Sequence, residues 1–184
     1  MSDGNKTIRD IDLACAEAGR RLAALGNRAK DAENTLNKAL GVLEEQGVYA
    51  MFLYLFAREE RCGVDELCQL LGDTCDTDVP RQCGAELKDL ESRLQNARRQ
   101  EKEQGRQQKP QQRGRSGRHQ TEAGVSEITR LEEEIQKKKT EFFNKVESLA
   151  NDLDQLLFAR EVLHNALVYA RYHAKARASA GERE

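Results

Sequence analysis

The sequence predicts an all-α protein: a small helical bundle from which an antiparallel coiled-coil hairpin projects. Three observations lead there. Apolar residues recur at spacings of three and four through most of the 184 residues, which places them along single helical faces. Charged residues make up 34% of the chain against 38% hydrophobic, a balance that suits long solvated helices with narrow apolar seams. There is no Trp, and Pro80 and Pro110 are the only prolines, so the aromatic, β-branched and turn signals of a β-sandwich are missing.

The elements follow in order. Ile8, Ile11, Cys15, Ala18, Leu22, Leu25 and Ala29 line one face of a first helix, with Gly26 and Asn27 as the place to break or bend it. A second helix is expected from about Asp31 to Glu45, with Leu36, Leu40 and Leu43 inward and Gly47 as punctuation. Val48 to Phe56 (VYAMFLYLF) is apolar nearly all round and is therefore expected at the centre of the bundle. A short helix spans Val64 to Leu71, ended by Gly72, and the stretch from Gly72 to Gly84 reads as loop.

From Ala85 to about Gln104 the chain is helical again, with Leu87, Leu90, Leu94 and Ala97 as a thin seam. Gly105 to Gly124 is rich in Gln, Arg and Gly, has no apolar periodicity, and is expected to be disordered. Beyond it, Ile128, Leu131, Ile135, Phe142, Val146, Leu149, Leu153, Leu156, Leu163, Leu167, Ala170 and Ala174 keep the three–four rhythm, interrupted by Lys138 and Arg160. One helix from about Ser126 to Ala178 is expected, on the order of 75 Å long. Its first half pairs with Ala85 to Gln104 in the hairpin, and its second half returns to the N-terminal helices. The domains are thus 6–72 with 149–178 as the bundle, and 85–148 as a hairpin insertion with a basic tip at about 105–124.

The net charge of -2 means that any nucleic-acid contact must come from a local basic face. Met1 to Asp12 is polar and lacks the apolar core of a signal peptide. The longest apolar run, Val48 to Ala57, is about half a bilayer span. With five cysteines and no export signal, a cytoplasmic chain with reduced thiols and no membrane partner is expected.

Three basic clusters stand out. At roughly 100° per residue, Arg160, His164, Arg171 and Lys175 fall within about 60° of arc beside the seam of the last helix, a spacing that suits phosphates. An ordinary solvated flank with cations near a helix C-terminus explains the same residues. Arg20, Arg21, Arg28 and Lys30 form a second cluster, with Asp31 and Glu33 close enough for local ion pairing. Arg106, Lys109, Arg113, Arg115 and Arg118 lie in a stretch without one acid, as flexible segments that track phosphates do, although linker solubility accounts for it equally well.

Metal and catalysis find little to stand on. Cys62, Cys68, Cys75 and Cys83 are separated by six, seven and eight positions, without the close Cys pair of a zinc knuckle. The three histidines, His119, His164 and His173, have no nucleophile or carboxylate placed beside them by sequence, and neither a phosphate-binding loop nor a zinc-protease helix is present. No enzyme activity, metal or cofactor is expected.

Lys38-Ala-Leu-Gly-Val-Leu, then Gly47, then Val48-Tyr-Ala-Met-Phe-Leu-Tyr-Leu resembles the small-subunit family of type III CRISPR effector complexes, nearest the Cmr type. Arg160-Glu-Val-Leu, Ala166-Leu-Val-Tyr-Ala-Arg171 and Ala174-Lys-Ala is similar to that family's closing amphipathic helix. The resemblance covers roughly Ile8 to Arg61 and Leu149 to Ala178. It implies an accessory subunit without chemistry, stacked with other copies of itself beside the guide-bound backbone subunits. Its basic residues would meet guide RNA and target RNA or a displaced strand. Arg160, His164, Arg171 and Lys175 would then face phosphates, with Tyr172 placed to stack or hydrogen-bond. The chain departs from the family in being less basic and in carrying the hairpin. The alternative is a coiled-coil adaptor or scaffold without a nucleic-acid role, whose hairpin seam is the working surface.

Overall fold

A helix begins where a side chain can satisfy its free N–H groups, and two aspartates do so here. Asp10 Oδ1 accepts from the backbone N–H groups of Asp12 and Leu13, at 3.1 and 3.4 Å, and opens α1 (Ile11–Ala24). The computed structural model describes residues 10–24, 29–57, 63–75, 77, 79–107 and 116–181, with side chains left out at 29–30, 104–107, 116–126 and 180–181. Over these residues the chain is all-α, with no strand. It divides into two compact units, Met1–Gln82 with Phe143–Glu184, and Cys83–Phe142.

In the first unit α1 is followed by α2 (Ala29–Gln46), α3 (Val48–Phe56) and α4 (Val64–Thr74). Gly47 sits between α2 and α3 with φ +90°, a left-handed value that strains any residue with a side chain. It turns the chain while its N–H still donates to the Leu43 carbonyl at 3.1 Å. Contrary to expectation, α3 is not the centre of the unit. It buries one face (Val48, Met51, Phe52, Leu55 and Phe56) against α2 and α4, sets the rings of Tyr49 and Phe56 each 5.2 Å from that of Phe143, centroid to centroid, and leaves Tyr49 and Leu53 exposed. Nor does Gly72 end α4, which runs two residues further, to Thr74. Arg81 lies against Gly72, where a Cβ would crowd its guanidinium, donates to the Gly72 carbonyl at 3.1 Å and pairs with Asp73 at 3.1 Å.

The centre belongs to α7 (Leu153–Gly181), which packs against α1, α2 and α4. Ala159, Val162, Leu163, Ala166, Leu167, Ala170 and Ala174 are buried along it. Cys15 Sγ meets the Val162 carbonyl at 3.5 Å, and Arg177 donates to the Ala23 carbonyl, so α1 and α7 run parallel. Midway, Gly19 lets the backbones touch: a Cβ there would come within 2.6 Å of Tyr169 Cβ and 2.8 Å of Ala170 N.

The second unit contains α5 (Cys83–Gln107) and the first part of α6 (Ser116–Ser148). Among the described residues, its buried hydrophobic side chains are Cys83, Leu87, Leu90 and Leu94 on α5 with Leu131, Ile135 and Phe142 on α6. Ion pairs Glu86–Lys138 (2.5 Å), Glu91–Lys139 (3.7 Å) and Arg98–Glu132 (2.5 Å) link α5 to α6, with the earlier α5 residues meeting the later α6 residues, which sets the two antiparallel. Lys138, which interrupts the apolar rhythm, thus has a carboxylate partner, and that hydrogen bond raises its pKa. The expected disorder over 105–124 meets helix at both margins, since α5 reaches Gln107 and α6 starts at Ser116. Gln, Arg and Glu extend an existing helix at low cost, because the nucleus is already formed. Residues 108–115 lie outside the described ones.

The single helix expected from Ser126 to Ala178 is two helices. After Ser148 comes a 3-10 turn, Leu149–Asn151, and then Asp152 in an extended conformation (φ -124°, ψ 109°). Asp152 Oδ1 accepts from the N–H groups of Asp154 at 3.0 Å and Gln155 at 3.1 Å and starts α7 anew. The change of direction turns Leu153, expected inward, out into solvent at 66% exposure.

Candidate nucleic-acid interface

The four basic residues read from the last helix lie on one face of α7, and the structure uses them in two ways. Arg160 Nη2 donates to the Glu44 carbonyl at 2.9 Å, and His164 Nε2 lies 3.2 Å from Glu44 Oε1. Glu44 is in the last turn of α2, where carbonyls have no partner within their own helix. Arg160 supplies one. These two side chains therefore tie α2 to α7.

Arg171 and Lys175 lie two to three turns further along α7. Both are exposed and neither forms an ion pair with a described residue. Tyr172, between them, is 62% exposed. An arginine fork, a lysine ammonium and a phenol ring on one solvent-facing stretch can hold phosphate oxygens and offer a stacking plane. This is what remains of the expected arc as a free surface.

The other clusters divide in the same way. Arg20 is exposed on α1. Arg21 Nε pairs with Glu66 Oε2 at 2.5 Å and joins α1 to α4. Arg28, Arg113 and Arg115 lie outside the described residues, as do the side chains of Lys30, Arg106, Lys109 and Arg118. The basic tip is accordingly not part of the described surface.

Two polar links escaped the sequence reading. Tyr169 Oη donates to Asp12 Oδ1 at 2.6 Å, and this bond raises the phenol pKa above its ordinary value. Arg177 reaches the Ala23 carbonyl in the last turn of α1. The signal for Arg177 was weak: a cation near the end of one helix at the level where another must end.

The thiols are structural in character. Cys15, Cys68, Cys75 and Cys83 are free and buried, and Cys62 lies outside the described residues. Burial, with the nearby Asp12 carboxylate, pushes the Cys15 thiol up to about 11. Burial also raises Cys75. A thiol so shifted is neutral at ordinary pH and a poor nucleophile or metal ligand. Among the described residues no three His, Cys, Asp or Glu side chains are grouped to hold a metal ion, and no helix is long and apolar enough to cross a membrane. No family model, no curated protein and no solved structure matches the chain.

Proposed function

We propose that the chain is a non-catalytic helical subunit of a cytoplasmic nucleoprotein assembly, in the role that its resemblance to type III CRISPR small subunits implies. In that role it packs beside backbone subunits and other copies of itself, and touches the backbone of guide RNA and target RNA or a displaced strand. The observation that carries this reading is the exposed Arg171–Tyr172–Lys175 stretch, whose cations have no ion pair with a described residue. Phosphate contacts made there would be blind to sequence and sensitive to salt.

The test is RNA binding by the full chain across a salt series. Reversing both charges (Arg171→Glu with Lys175→Glu) is expected to weaken binding uniformly across sequences. It should also reduce the slope of log affinity against log salt by about 1.4, the value for two single-strand phosphate contacts. Arg160→Ala with His164→Ala is expected to lower stability instead, through the lost tie to Glu44. Unchanged RNA binding in the Arg171/Lys175 variant would assign the surface elsewhere.

The second reading, a coiled-coil adaptor without nucleic acid, draws support from Arg160 and His164 being engaged by Glu44. It also draws on the buried seam and three cross-helix ion pairs of the second unit. A purified chain that binds no RNA at low salt favours it.

A further inference from the structure

Leu153 and Leu157 occupy the first two turns of α7 and stand outward, 66% and 52% exposed. Four residues apart on a helix, they form one stripe. Leu157 lies one turn before Arg160, whose guanidinium rests on the Glu44 carbonyl, so the last turn of α2 borders the stripe. Phe158, 40% exposed, widens the apolar surface on the other flank.

Arg160 apart, the charged residues of this part of α7 and of the last turn of α2 are acidic. Asp154 and Glu161 on α7, and Glu44 and Glu45 on α2, are all exposed. From Leu153 to Glu161 the one cation is Arg160, which is held against α2. Of the α2 carboxylates, Glu44 is 3.2 Å from His164, and the position on the helix favours neither. They sit at the negative end of the helix dipole, in a last turn with no basic residue, where acids are unfavourable.

The acidic rim selects the occupant. A second copy meeting this stripe with its own would set carboxylates against carboxylates, and a nucleic-acid strand or an anionic membrane would be repelled in the same way. A helix with leucine-type side chains three and four apart, flanked by Lys or Arg, satisfies both the stripe and its rim. We infer that the first two turns of α7, with the end of α2, dock a basic amphipathic helix of a partner protein. Arg171 and Lys175 take no part, so this inference and the nucleic-acid reading stand or fall separately.

The probe is a fluorescein-labelled Leu/Lys helical peptide of about five turns, with a Leu/Glu peptide of identical pattern as control. Fluorescence anisotropy with the full chain is expected to show the Leu/Lys peptide binding at least about tenfold more tightly than the Leu/Glu peptide. Leu153→Ser with Leu157→Ser should weaken that binding by about tenfold or more with an unchanged helical circular dichroism spectrum, since both side chains already face water. Glu45→Lys with Glu161→Gln should weaken it further and flatten its salt dependence. Equal binding by the serine variant, or preference for the Leu/Glu peptide, overturns the inference. So does sedimentation velocity showing wild-type self-association that the serine variant abolishes, because the occupant would then be a second copy.

Discussion

Two side chains that reach across between α1 and α7, Cys15 to the Val162 carbonyl and Tyr169 to Asp12, make the first unit sensitive to alkaline pH. Cys15 is fully buried, and its thiol is shifted from 9.0 in the open chain to about 11 in the fold. A raised pKa means the native state prefers the neutral thiol. That contribution is whole below pH about 9 and is lost as pH rises to about 11. Tyr169, raised by its bond to Asp12, loses its contribution in the same direction above its ordinary pKa. Urea midpoints of the full chain are therefore expected to fall between pH 9 and 11 (the range set by the Cys15 shift), and Cys15→Ala should make that fall shallower. One helix turn on, Gly19→Ala would drive a methyl into Tyr169 Cβ and the Ala170 amide, both backbone-fixed. A loss of about 1–3 kcal/mol is expected in equilibrium unfolding, as for overpacking elsewhere. Neither residue announced this in the sequence. Cys15 was legible as an inward position, but spacing says nothing of how close a second helix comes, and Gly19 reads as a poor helix former until α7 lies on it.

At the scale of elements, apolar rhythm located α1 to α5 but neither the start of α6 nor the break between α6 and α7. The rhythm passes through Val146, Leu149 and Leu153 without a fault, so it reported one helix where there are two. Rhythm records which residues could share a face, whereas a break is made by hydrogen bonds. The signal was present in another form: Asp152 followed three residues later by Gln155 is the spacing of a capping box, and Asp152 does accept from the N–H of Gln155. Asp152→Ala is expected to cost about 1 kcal/mol and to increase hydrogen exchange in the first turn of α7 before any other part of that helix. The reading of α3 went wrong for a related reason. A short segment that is apolar on all sides has no direction, and the positions of α2, α4 and Phe143 decide which face is covered. Of the basic arc on α7, spacing correctly put Arg160, His164, Arg171 and Lys175 on one face. It could not say that α2 ends beside the first two, because the meeting point of helices more than a hundred residues apart depends on packing rather than on local pattern.

For the whole molecule, the fold class was open to the sequence because one physical signal, a three–four spacing with charged exteriors, repeats from α1 to α7. The division between the proposed phosphate surface and the proposed docking surface was not, since both use α7 and differ only in what lies beside each turn. One consequence follows from α7 holding the centre of the first unit while α1 to α4 precede it by a long stretch of chain. On the ribosome, residues 10–82 emerge with the faces of Cys15, Ala18, Leu22, Leu36, Leu40 and Leu43 uncovered, and they stay so through the synthesis of the next 70 residues. Nascent chains halted after Ser148 are expected to be cut readily by protease within residues 11–74, and chains carrying α7 to resist. That interval is a window for chaperone capture, set by where in the gene the central helix is written.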